Sequence, residues 1–328
     1  MQIPGMVVSG SIGSTPEAVQ QTASYAKMAE ERGFRNCLVT EAASDALALT
    51  QHLASVTSRI HVGTAIFNIY LRPPLLAALH ALTIDAVAPG RLFLGVGTSH
   101  AILNQAYGIP MDKPLTALRM YVATMTSVFR GEHPGLAQIA AAGLNVPRAE
   151  RKIPIFLGGV SPKSIQLAGE IADGIIPAQY GPHTLKEVVD GLAEGVQHAG
   201  RSPKDVALIP LVHCCVCGDR GVALRSVQQQ LAFYASLPFY NRLFVRHGFH
   251  NEAEQVMAAA MRGDRARAAA AVSERMAAEY AIMGSPQECV KQVEALEKAG
   301  AAYVLLYPMP INGDYDRGVQ AALDAFAQ

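Results

Sequence analysis

Charge is scarce in this chain, and none of it is concentrated. Of 328 residues only 16% are charged, 27 basic against 27 acidic, and the formal net charge is zero. No block of Lys and Arg is present, which excludes the counterion-displacing surface that nucleic-acid binding requires. Long apolar runs are missing too: nothing approaches the roughly 18 residues a helix needs to cross a bilayer. The opening Met1-Gln2-Ile3-Pro4 lacks the basic start and apolar stretch of a secretory leader, so a cytoplasmic location with no membrane partner is expected. Cysteine is limited to five residues, an odd number that fits a reducing compartment. Three of them gather in His213-Cys214-Cys215-Val216-Cys217, but no second cluster of Cys-x-x-Cys spacing accompanies them. They end a predicted strand and read as small residues of a sheet wall rather than as metal ligands. Internal repeats, low-complexity tracts and interdomain linkers are absent as well, so one domain over residues 1–328 is expected.

What the chain has is apolar: half of its residues, enough for a sizeable core. Eight short apolar segments recur, most followed by a helical stretch. They are Ile3–Val8, Cys37–Thr40, Ile60–Ile66, Leu92–Val96, Ile153–Leu157, Gly174–Pro177, Val206–Val216 and Tyr303–Tyr307. Strands buried on both faces lose the alternation of a half-exposed sheet, and eight of them separated by helices predict an α/β fold, a (β/α)₈ TIM barrel. Helical spacing over about Gly218–Gly284 predicts a helical insertion between strands seven and eight. Such barrels carry their chemistry at the C-terminal ends of the strands, and that is where candidate residues are sought.

Strand three leaves through Gly63-Thr64-Ala65-Ile66-Phe67-Asn68, where small residues permit close approach and Asn68 offers both donor and acceptors. Strand four ends in Gly95-Val96-Gly97-Thr98-Ser99-His100. Its Gly-x-Gly pair lacks the third glycine and the downstream acid of a dinucleotide fingerprint. His100 is a candidate proton donor at the strand end, although a single histidine in such a place is more often a surface-loop residue. Strand five delivers Gly158-Gly159-Val160-Ser161-Pro162 into a helix start, where unpaired N–H groups and the positive helix end predict an anion seat. Glu41 ends strand two and is the second candidate for proton exchange.

Taken in order, Gly63–Pro74, Gly90–Gly97, Tyr107-Gly108-Ile109, Ile153–Gly159 and Leu167–Gly174 resemble the luciferase-like flavin-barrel superfamily. The resemblance is strongest to its coenzyme F420-dependent branch, which includes the methylenetetrahydromethanopterin reductases. It implies an oxidoreductase that transfers a hydride between reduced deazaflavin and a small organic substrate at the barrel mouth. It further implies a non-prolyl cis peptide at Ala65-Ile66 behind the ring, ring contacts around Thr64 and Asn68, tail contacts at Gly97, Thr98 and Ser99, and phosphate on Gly158, Gly159, Val160 and Ser161. Two departures from the family pattern bear on substrate: Ala42 follows Glu41 where many relatives have His, and Met6 stands where the reductases have Glu. The alternatives are an FMN-dependent two-component monooxygenase, with a separate reductase recycling the cofactor, and a non-catalytic flavin-binding barrel. A homodimer is expected, since relatives pair through barrel helices and closed twofold assembly is the default.

Overall fold

The computed structural model of the protein describes residues 1–9 and 12–327. Gly10 and Ser11, in the loop expected after the first strand, lie outside the described residues. Ten strands are present among the described residues: β1 Gly5–Val8, β2 Asn36–Val39, β3 His61–Asn68, β4 Leu92–Gly97, β5 Ile155–Gly158, β6 Gly174–Ile176, β7 Ala207–Leu208, β8 Leu211–Val216, β9 Ala281–Gly284 and β10 Leu305–Pro308. No helix among them is long and apolar enough to cross a membrane.

The chain divides into two compact units. The larger takes Met6–Ile176 and Asp190–Ala207. Here β6, β5, β4, β3, β2 and β1 lie side by side in that order, with parallel registers such as Met6 opposite Cys37 and Leu94 opposite Ile155. Parallel neighbours need a crossover, and helices Pro16–Glu31, Ala46–Val56, Pro74–Val87, Pro114–Phe129 and Pro162–Ile171 supply them. Their starts follow from sequence. Thr15 caps the first helix and Asp45 the second, each accepting backbone N–H groups. Gly33, at φ 76°, ends the first turn-out in the left-handed region that glycine occupies without penalty. Leu38, Val62, Leu94 and Ile155 are buried.

The N-terminal edge of this sheet is tied by charged side chains. Glu30 accepts the N–H groups of Ser58, Arg59 and Ile60 at 2.9, 2.6 and 3.0 Å where β3 begins. Arg91 donates to the carbonyls of Ala54, Thr57 and Ile60 at 2.9, 3.1 and 3.1 Å. These contacts hold the end of the sheet away from the strand exits, and leave the exits to loops.

The second unit takes Met1–Gly5, Pro177–Val189 and the chain from Leu208 onward. Its strands run β10-β8-β9, also parallel, with Tyr307 opposite His213 and Cys215 opposite Met283. Five helices between Arg220 and Tyr280 separate β8 from β9.

Ten strands instead of eight have two physical causes. The expected strand Val206–Val216 is divided at Ile209-Pro210, where proline has no N–H to donate to a ladder. The segment Ala281–Gly284, expected as the tail of the helical insertion, is a fully buried strand reached directly from helix Glu274–Tyr280 with no intervening turn. The stretch Gly131–Lys152, ahead of β5, contains the helix Pro134–Ala141.

Candidate active site

In the larger unit the residues that follow the strands form a row of half-buried positions: Thr40, Glu41 and Ala42 after β2, Tyr70 after β3, Thr98, Ser99 and His100 after β4, and Gly159 and Ser161 after β5. All sit at C-terminal ends of parallel strands. Glu41 is the one carboxylate among them, and its charge is matched locally.

Glu41 sits in a bracket. Its backbone N–H donates to the carbonyl of Ile66 at 3.2 Å. Its Oε1 accepts from the N–H of Ala46 at 3.2 Å and from Nη2 of Arg72 at 2.5 Å. Its Oε2 accepts from the N–H of Asn68 at 2.6 Å and from Nη1 of Arg72 at 3.2 Å. Four donors thus meet the four lone-pair sites of one carboxylate. The pair is nearly sealed, with 3% of the Glu41 side chain and 10% of the Arg72 side chain exposed. Arg72 is fixed further by Asp45 at 3.3 Å and by the ring of Phe67, 5.3 Å from its guanidinium carbon, while its carbonyl accepts from Tyr121 Oη at 3.1 Å. Burial alone would weaken the guanidinium's hold on its proton, but the Glu41 carboxylate reverses this and the net direction is up. The Glu41 oxygens, expected to exchange a proton, accept four hydrogen bonds and hold the exit of β3.

Asn68, expected against a ring, is 2% exposed and engaged on three sides. Its Nδ2 donates to Oδ1 of Asn104 at 2.7 Å, and its Oδ1 accepts from the N–H of Tyr70 at 3.1 Å. Asn104 passes the link on, donating to the carbonyl of Thr98 at 2.8 Å. This chain fixes the exits of β3 and β4 to one another.

Between these residues β3 changes register, so that Thr64 faces Leu94 while Phe67 faces Val96. The Ala65-Ile66 peptide in this stretch is cis, as the resemblance implied. Gly95, opposite the irregularity, is served by the Thr64 hydroxyl, which donates to its carbonyl at 2.7 Å and accepts its N–H at 3.1 Å. Thr64 is fully buried by this exchange and belongs to the wall rather than to a ligand surface. Three glycines make room for Ile66. A Cβ on Gly97 would lie 2.9 Å from Ile66 Cδ1, one on Gly158 2.8 Å from its Cγ2, and one on Gly95 3.2 Å from the same methyl. The glycines expected to admit a ligand at Gly97 and Gly158 thus first admit this side chain, which is itself half-exposed.

Ser99 has φ 56°, in the left-handed region that serine seldom occupies. His100 follows and opens helix Ala101–Ala106 without capping it through the side chain. Burial lowers its imidazole below the ordinary histidine range, so the ring is neutral at neutral pH. At β5, Ser161 caps helix Pro162–Ile171 through a capping box with Ser164: each hydroxyl accepts the other's N–H, at 3.2 and 3.0 Å. A Cβ on Gly159 would lie 2.6 Å from Ser164 Oγ, so glycine there is dictated by the cap. Val160 is buried, 4% exposed.

The sequence reading passed over Arg72, Asn104 and Tyr121. Arg72 was visible only as the residue before Pro73-Pro74, and Asn104 lies on a six-residue helix with no motif to mark it. No group of three or more His, Cys, Asp or Glu residues capable of holding a metal occurs among the described residues, and the cysteines are free.

Comparison with known proteins places this geometry. The sequence profile of the luciferase-like monooxygenases matches residues 4–303. The methylenetetrahydromethanopterin reductase of Methanolobus tindarius is 28% identical over 311 residues, covering 93% of this chain and 94% of that one. The coenzyme F420 dependent tetrahydromethanopterin reductase of Methanopyrus kandleri superposes with a TM-score of 0.81 at 23% identity, over 98% of this chain and 97% of that one. An oxygenating constituent of a diketocamphane monooxygenase from Pseudomonas putida, in complex with FMN, does so at 0.71 and 17% identity, over 100% and 97%. The chain belongs to the luciferase-like monooxygenase family and is an oxidoreductase.

Proposed function

We propose that the protein is a coenzyme F420-dependent oxidoreductase acting on a small, uncharged organic substrate at the strand exits of the larger unit. The observation that carries this reading is the half-exposed Ile66 side chain, seated over Gly95, Gly97 and Gly158 and flanked by half-exposed exits. A flat tricyclic ring fits such an apolar shelf. The lining fits it electrostatically as well, because Glu41 is neutralised by Arg72 and His100 is uncharged. Bound there, a deazaflavin would supply the hydride chemistry.

The residues of this chain have the remaining tasks. Glu41 and Arg72 hold the β3 exit, and Asn68 with Asn104 holds the β4 exit beside it, so the shelf is preorganised. Thr98 and Ser99 offer a hydroxyl pair for the cofactor tail, and the turn from Gly158 through Ser161 stands at the positive end of helix Pro162–Ile171, which suits its phosphate. His100, neutral and half-buried, is the better-placed proton carrier now that the Glu41 oxygens are occupied. Full-length similarity to reductases, one of them named for coenzyme F420, favours deazaflavin. The likeness to an FMN complex supports the alternative, a monooxygenase served by a separate reductase.

The protein is also read as a homodimer. Helix Pro74–Val87 exposes Leu75, Leu76, Leu79 and Val87 with no charged residue among them, and neighbouring Met120 is 66% exposed. An uncharged face of this kind suits a twofold contact. Turnover tests the main reading. Reduced F420 should be consumed anaerobically in the presence of a carbonyl or imine substrate, whereas the monooxygenase alternative requires reduced FMN and oxygen.

A further inference from the structure

Gln179 is the most anomalous residue of the second unit. It follows β6, beside Ala178, which bridges Leu211 at the start of β8. It is 1% exposed, yet its backbone has φ 62°, a left-handed conformation in a buried, non-glycine residue. Such positions persist where the surrounding structure holds them, and they concentrate at ligand sites.

Its side chain is equally unusual. Gln179 Nε2 lies 3.3 Å from Nδ1 of His213, and Gln230 Nε2 lies 3.3 Å from Nε2 of the same ring. His213 is 1% exposed, and burial pushes its pKa down to about 3, so the imidazole is neutral and carries one proton. A neutral ring has one N–H and one bare nitrogen. One of the two carboxamides must therefore turn its oxygen to the ring. Gln179 Oε1 has no hydrogen-bond partner. If Gln179 is turned, its NH₂ takes over that position instead. In either arrangement one end of the carboxamide stays unpaired, a condition that buried polar groups rarely tolerate unless a ligand or water completes them.

We propose that the end of the Gln179 carboxamide turned away from His213 is a hydrogen-bonding site for an uncharged hydroxyl or amide group of a small ligand. The location agrees with the site rule for parallel strands, which places ligands beyond their C-terminal ends. The rings of Tyr234 and Tyr307 flank His213 at centroid distances of 5.3 and 5.2 Å, and both tyrosines and Gln230 are half-exposed. The two tyrosines thus offer aromatic faces beside the ring. The cluster carries no formal charge, so a carboxylate or ammonium would be desolvated there with nothing to pair it. A hydroxyl or an amide can both donate and accept, and so matches whichever end Gln179 presents. His213 acts through Gln179 and is a positioning residue.

This inference stands apart from the oxidoreductase reading, and its test uses no cofactor. Ligand-observed NMR on the full chain would compare 2-pyridone, an uncharged lactam, with benzoate and benzylamine. The expected result is binding of 2-pyridone alone, weakened about 10-fold or more in both Gln179→Met and Gln179→Asn, the scale of one lost hydrogen bond. Asn tolerates the left-handed backbone and keeps an amide, but withdraws it by one methylene, so this variant folds if the conformation matters. Absence of 2-pyridone binding to the natural chain, equal binding in folded Gln179→Asn, or binding of the charged probes with similar strength would each overturn the proposal.

Discussion

Replacing Glu41 with Gln keeps the shape of the side chain and removes what the structure uses. The four donors on the carboxylate, from Ala46, Asn68 and the two Arg72 nitrogens, would meet one carbonyl oxygen and one NH₂ group. Two of them would then face a donor. Arg72, 10% exposed, would keep one acidic partner, Asp45, whose side chain is 52% exposed. Removing one partner of a buried ion pair costs about 3–5 kcal/mol, and the remaining Asp45 places this case near the lower end, about 3 kcal/mol. Urea unfolding of Glu41→Gln, Arg72→Met and the double variant measures it. The double variant should cost less than the sum of the singles by about 2 kcal/mol, because it leaves no uncompensated charge. A loss below about 1 kcal/mol in Glu41→Gln, or strict additivity, would refute the bracket. Normal stability with abolished turnover would return Glu41 to a role in proton exchange.

Other consequences follow from the same contacts. Gly95→Ala would set a Cβ 2.3 Å from the Thr64 carbonyl, backbone that cannot yield, so a loss of about 3 kcal/mol in thermal or urea unfolding is expected. His213 is held neutral in the fold down to about pH 3 but protonates near pH 6.5 when unfolded. Between those values the unfolded state binds the extra proton, so stability falls as pH falls, by up to about 1.4 kcal/mol per unit. His213→Phe should flatten that acid limb relative to the parent in pH-dependent unfolding, and an unchanged slope would show that the ring is accessible. Leu76→Glu should shift the mass measured by light scattering toward the monomer if the exposed face of helix Pro74–Val87 pairs two copies.

The positions of the strands were legible because burial on both faces leaves unbroken apolar runs, and each of the eight expected segments overlaps a strand displaced by no more than two residues at its start. The failures have local causes. Pro210 sits inside an otherwise continuous apolar run and divides it, while Ala281–Gly284 lacks any turn residue to separate it from the helix before it. Strand exits were equally visible, since glycines, hydroxyls and Asn68 mark them. Their occupations were not. Sequence shows that Glu41, Thr64 and Asn68 are polar residues near a mouth, but not that Arg72, Gly95 and Asn104 already satisfy them. Such partners are separated by about 30 residues, and only the register of β3 against β2 and β4 brings them together.

The central claim is that the shelf over Ile66 and the turn at Gly159–Ser161 together hold a deazaflavin. Titration of the purified protein with F420 and, separately, with FMN, followed by absorbance and calorimetry, tests it most directly. F420 should bind at least 10-fold more tightly than FMN, and Gly159→Asp, which sets a negative side chain against the phosphate turn, should weaken F420 by 10-fold or more. Tighter binding of FMN, or F420 affinity unaffected by Gly159→Asp, would contradict it.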